Sequence, residues 1–216
     1  MTPLAHFNLV WNRCAELSAI QAYISNNVAP VLSADELLRA EWATRISALD
    51  LYVHEFVAQE MLATFEGQRP ASAAFRRFRI SNETLERIRA AATRSDASSA
   101  FDLEVRTQLA IASFQDPEKI AEAVRLISDI ELWNEVALTL GATQATKTNQ
   151  AKALKKVLSL MVQRRNKIVH EGDLQPSPPR EPWPISQADV AAVTSHVETI
   201  VYAINAVLAP RVAGRG

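Results

Sequence analysis

Apolar residues recur along this chain at spacings of three and four, the signature of helices with one buried face. The first such segment, "HFNLVWNRCAELSAIQAYI", is expected to end where Asn26, Asn27 and Pro30 break it. Ser33, with Glu36 three residues on, forms a capping-box pattern that predicts the next helix start. That helix is expected to run roughly to Phe65, where "EGQRP" stops it, with a core stripe of Leu38, Trp42, Ile46, Leu49, Val53 and Val57. Residues 66–100 are less regular: "EGQRPASAAFRRFRIS" and "ATRSDASSA" read as non-helical edges bracketing a short helix, "NETLERIRAA". A further helix, whole or broken, is expected over "FDLEVRTQLAIASF".

Asp116 and Pro117 open "PEKIAEAVRLISDIELWNEVALTLG", predicted as one helix with Pro at its first position and Gly141 as its stop. A helix from about Thr148 to His170 follows, and then a loop, "DLQPSPPREPWP", whose five prolines forbid helix. Ser186 is the expected cap of a last helix carrying Val190, Val193, Val197, Ile200, Ile204 and Val207. The fold class is therefore all-α: one antiparallel helical bundle over 1–216, with an insertion at approximately 66–115 and a Pro-rich loop at 173–185.

Composition narrows the function classes. With 23 basic and 24 acidic residues the net charge is -1, so nucleic-acid binding would need a local patch. A single cysteine, Cys14, excludes an internal disulfide and a cysteine-based zinc site. No apolar leader is visible, and "IVYAINAVLA" is short for a bilayer span and contains Asn205, so a cytoplasmic protein with no membrane partner is expected.

The most informative stretch is "MVQRRNKIVHEGD", Met161 to Asp173. Leu154, Leu158, Met161 and Ile168 define a stripe whose next core position is residue 165, which is arginine. A guanidinium keeps its charge, so Arg165 must be paired or must line a cleft or subunit interface. His170 lies about 140° round the helix, on the side carrying Lys152, Lys156 and Lys167, so convergence on one atom is expected only if the helix unwinds or a second copy contributes. Gly172 suits a helix stop, and the helix dipole favours a protonated histidine in the last turn.

The hexapeptide "RNKIVH", Arg165 to His170, resembles the Arg-polar-x-x-x-His signature of the HEPN superfamily of helical domains. The flanking "RRNKIVHEGD", with "RISALDLYVHEF" (Arg45 to Phe56) and "ELWNEVA" (Glu131 to Ala137), is similar to its RiboL-PSP-like branch, and the likeness covers most of the chain. The resemblance implies a HEPN-like bundle and a metal-independent endoribonuclease needing no cofactor, usually a homodimer with two motifs facing across a cleft. RNA is then the partner and substrate, with a toxin or abortive-infection role and a possible antitoxin or regulatory protein. His170 would move protons, Arg165 would neutralise phosphate charge, Asn166 would orient the phosphate or the histidine, and Arg164 and Lys167 would contact flanking phosphates. Arg164 to His170 also fits a looser spacing in the superfamily, so either arginine can be the catalytic one, with Arg165 preferred. Where antitoxin-paired relatives often carry a tyrosine, two residues after the histidine, this chain has Gly172.

Plainer readings stand beside these. Arg165 can be a core arginine paired to Asp50 or Glu55, and His170 an ordinary helix-end histidine; the chain is then a docking or dimerisation module, or an RNA-binding sensor. Asp50 and His54, one turn apart, can be metal ligands, but two protein ligands do not make a site and the sequence places no third; they are expected to support the site through interhelical contacts. "FRRFR", Phe75 to Arg79, reads as a solvated basic loop, Trp11, Trp42 and Trp133 as core, and Trp183 as a staple between loop and bundle.

Overall fold

The computed structural model describes residues 1–28 and 34–208, and these form eight α-helices with no strand. They are α1 (Pro3–Asn27), α2 (Asp35–Phe65), α3 (Asn82–Ala90), α4 (Arg94–Leu109), α5 (Pro117–Arg125), α6 (Leu132–Thr139), α7 (Lys147–Glu171) and α8 (Gln187–Leu208). Ser33 and Pro30, the expected cap and breaker between α1 and α2, lie outside the described residues.

α2 is the axis of the molecule, packed by α1, α4, α7 and α8. Its expected stripe, Leu38 to Val57, is buried throughout, and Tyr52 and Met61 join it. From α1, Phe7 stacks on Trp11 at 4.8 Å and meets Tyr52 edge-on at 6.2 Å. Arg45 of α2 is also buried, satisfied by Glu41 at 2.6 Å and lying 4.4 Å from the centre of the Trp11 ring. Burying each large apolar side chain contributes about 1.5–3 kcal/mol, so this shared stripe dominates stability. α8 is apolar and long enough to cross a bilayer by length and composition, yet Val190, Val193, Val197, Ile200 and Ile204 are all buried against the bundle.

Helix boundaries differ from the expected ones in two segments. "ATRSDASSA" is not a loose edge: α4 starts inside it, because Thr93 and Asp96 form a reciprocal capping box, each side chain accepting the other's backbone N–H at 3.1 Å. That helix also stops at Leu109, short of Phe114. The 117–141 segment is not one helix either; it breaks between Arg125 and Leu132. Ser72 of the insertion donates to the carbonyls of Arg125 and Leu126, and Asp129 accepts the N–H of Ala73. These partners satisfy the end of α5 without further helix. The insertion is consequently docked onto the bundle, with Phe65 stacked on Phe101 at 4.3 Å and Phe75 and Phe78 around the same ring. The arginines of "FRRFR" remain exposed beside those packed rings.

α7 is fastened to α2 by Trp42, whose indole N–H donates to the Met161 carbonyl at 3.0 Å. It ends at Gly172 in the left-handed region, φ 65°, and the N–H of Asp173 turns back to the Lys167 carbonyl at 3.0 Å. This is the glycine-terminated ending that closes a helix when the next residue must leave its axis.

Candidate functional site

The apolar face of α7 runs through Leu158, Met161 and Val162, all buried, and then leaves the bundle. Where it emerges, Val162, Arg165, Asn166 and His170 form one wall of a groove of about 750 Å³. The other wall is the loop Ile111–Asp116 with Lys119 and Glu122 of α5.

Arg165 thus occupies the stripe position predicted for it, but at the place where the stripe meets the groove. It is half-buried, and its Nη1 donates to Asn166 Oδ1 at 3.1 Å. No carboxylate lies within ion-pair distance of it among the described residues. The core-pair reading is overturned on both proposed partners. Asp50 accepts the N–H of Phe114 and the side-chain amide of Gln115, and Glu55 pairs with Arg106 at 2.9 Å and lies 3.5 Å from His6.

Arg165 and His170 are expected to converge on one atom only with an unwound helix or a second copy, and the end of α7 is not unwound. α7 stays helical through Glu171, and both side chains line the same groove. Asn166 lies between them, about 100° from Arg165 and about 40° from His170, so a long guanidinium arm spans the remaining arc. His170 is exposed. Across the groove, Lys119 and Glu122 compensate each other at 2.8 Å; their hydrogen bond lowers the Glu122 pKa and raises that of Lys119. Asp116 caps α5, its Oδ1 accepting the Glu118 N–H at 2.9 Å. Arg165 is therefore the fixed positive charge in the groove without an acidic partner. An anion placed between it and His170 would meet one permanent charge and one imidazole ring.

Asp50 and His54 do not line the groove but hold its far wall. Besides the bonds from Asp50 to Phe114 and Gln115, the His54 ring packs on Phe114 with centroids 4.6 Å apart and lies 3.7 Å from Asp50. Among the described residues no three His, Cys, Asp or Glu side chains assemble into a metal-ligand group. Asp50→Ala would strand the Phe114 N–H and is expected to cost about 1–3 kcal/mol in thermal unfolding. Asp50→Asn, which keeps an acceptor, should cost less.

Arg164, expected to contact a flanking phosphate, is engaged within the fold. Its Nη2 donates to Asp173 Oδ2 at 3.1 Å and to the Pro184 carbonyl at 2.7 Å, and its guanidinium lies 5.2 Å from the Trp42 ring centre. Asp173 also receives Arg39 Nε at 3.2 Å, and Arg39 Nη2 donates to the Trp183 carbonyl at 2.7 Å. This buried latch pins the Pro-rich loop to α2 and α7. Of the two adjacent arginines, the latch occupies Arg164, and Arg165 is the one in the groove. Lys167 is exposed and sits outside the groove, beside Trp183. His196 donates from Nε2 to the Leu154 carbonyl at 3.3 Å, away from the groove.

The sequence reading missed Arg39, Asp173 and the groove loop Ile111–Asp116. Arg39 had a usable signal: it falls three residues before Trp42 on the buried side of α2, where an arginine needs an acid. The loop had none, since nothing local marks which helix it will face. No protein-family model, curated protein or solved structure matches this chain.

Proposed function

We propose that the chain is a HEPN-type, metal-independent endoribonuclease. The observation that carries the reading is the groove wall of Arg165, Asn166 and His170, in which the arginine is held by an amide and, among the described residues, by no carboxylate. An arginine kept free of acids in a half-buried groove favours a bound anion, and a phosphodiester is the anion that the neighbouring histidine can act upon.

In this reaction the ribose 2′-oxygen attacks phosphorus and the bond to the 5′-oxygen breaks, leaving a 2′,3′-cyclic phosphate and a 5′-hydroxyl. The proton lost by the 2′-hydroxyl is balanced by the one gained by the leaving 5′-oxygen. His170 handles proton transfer, its imidazole being the general acid–base group of the motif. Arg165 stabilises the charge that builds on the non-bridging oxygens, and Asn166 orients its guanidinium. A homodimer would bring a second groove opposite the first; Ile111, 89% exposed at the rim, is an apolar contact for it. Such an enzyme would injure its own cytoplasm unless restrained, which fits a toxin or abortive-infection effector with an antitoxin or regulatory partner.

The test is cleavage of total RNA and tRNA by purified protein in excess EDTA. Fragments ending in 2′,3′-cyclic phosphate are the expected product. Intact RNA after incubation with folded protein would favour the alternative of a non-catalytic docking module. That alternative draws on the latch, where the neighbouring motif arginine already has a structural role.

A further inference from the structure

The Pro-rich loop ends on an indole that is held in place and left uncovered. Trp183 is 40% exposed, whereas Trp11, Trp42 and Trp133 are at most 7% exposed. Its backbone takes part in stapling the loop to the bundle. The Trp183 N–H donates to the Asp173 carbonyl at 2.8 Å, and its carbonyl accepts Arg39 at 2.7 Å. With Asp173 salt-bridged to Arg39 and Arg164, the loop is anchored before the ring contributes. The ring instead borders a shallow hollow of about 210 Å³ with Leu160, Gln163 and Lys167 of α7. Lys167 makes no ion pair among the described residues, and it lies one turn before His170, about 60° round the helix.

A rigid exposed indole beside an unpaired lysine is the combination that binds single-stranded nucleic acid: the ring stacks on a base and the ammonium meets the adjoining phosphate. We infer that Trp183 and Lys167 form a subsite for an unpaired nucleotide of RNA, next to the groove round the end of α7. Gln163 supplies an amide at the same hollow for hydrogen bonding to that base. The inference rests on the ribonuclease reading for the identity of the nucleic acid, but the hollow contains none of the groove residues. The subsite would select RNA that is unstacked beside the cut, since a base inside a duplex cannot lie on the ring.

The test uses full-length His170→Ala, so that RNA stays intact, titrated with an eight-residue oligouridylate. Trp183 is the exposed one of the chain's four tryptophans, so its emission should be quenched saturably. Trp183→Ala in that background should weaken binding roughly 5- to 100-fold by anisotropy of labelled RNA, while Trp183→Phe retains most of it. Lys167→Gln, a surface change on α7, should lower the slope of log affinity against log salt by about one. A duplex of equal length should bind without quenching. Unchanged affinity in folded Trp183→Ala and Lys167→Gln proteins would overturn the subsite, as would an absence of RNA binding by His170→Ala itself. Neither result decides the groove chemistry, which wild-type cleavage in EDTA reads separately.

Discussion

His170→Ala is expected to lower RNA cleavage by about 10²–10⁴-fold while leaving the fold intact. The first half follows from its role as the proton carrier; the second follows from its place on the exposed rim of α7, where surface substitutions move stability by about 0.5 kcal/mol or less. Arg165→Ala should also be severe, about 10²–10³-fold, because it removes the groove's fixed charge aimed at the phosphate. Arg165→Lys restores the charge but not the planar fork that Asn166 holds, so partial recovery is expected. The double variant should be little worse than His170→Ala, because both residues act in one step. Initial rates on a defined RNA, measured beside thermal melts of each variant, separate chemistry from stability. Equal cleavage by wild type and His170→Ala would sink the assignment of the groove.

Asp173→Ala should be the most destabilising single change on this face of the molecule. Asp173 is fully buried, and its carboxylate answers Arg39, which is 5% exposed, and Arg164. Arg39 would keep Glu36 at 2.9 Å, an exposed partner, but Arg164 would lose its carboxylate, and breaking a buried pair typically costs about 3–5 kcal/mol. In a chain of this size that corresponds to a melting temperature lower by roughly 10 °C. Backbone geometry adds to the loss. Asp173 has φ 55°, a conformation that aspartate tolerates better than alanine does. Asp173→Asn keeps both the shape and one acceptor, so it should fall between wild type and alanine. The loop anchor goes with the carboxylate, so Asp173→Ala should also lose RNA quenching at Trp183. An unchanged melting temperature would mean that the two arginines find other partners, and that the loop is fixed by its prolines instead.

Much of the fold was legible because helix periodicity is local. A residue's neighbours three and four positions away decide which face is apolar, and that face must be buried. This was enough for the end of α2 and its stripe, for Pro117 opening α5, for α7, and for the helix-free loop after it. It failed where a distant segment supplied the caps: the pattern from 117 to 141 is helical throughout, and Ser72 and Asp129 break it by pairing across the insertion. At α4 the error was of another kind. The Thr93–Asp96 box is local to the sequence, within a stretch whose apolar pattern is otherwise irregular.

The candidate site divides in the same way. By itself the sequence determined that an arginine occupies a core position of α7 and that a histidine closes the helix, because both follow from spacing along one element. It did not determine what either arginine does. Arg164 and Arg165 are adjacent and chemically identical, and they point about 100° apart. One meets Asp173, whose other partner, Arg39, is 134 residues away in sequence; the other meets a loop held by Asp50 on a different helix. Which acids reach a buried charge is set by chain segments that only folding brings together, and local periodicity carries no record of them. The tertiary structure alone made Arg164 a latch and left Arg165 free in the groove.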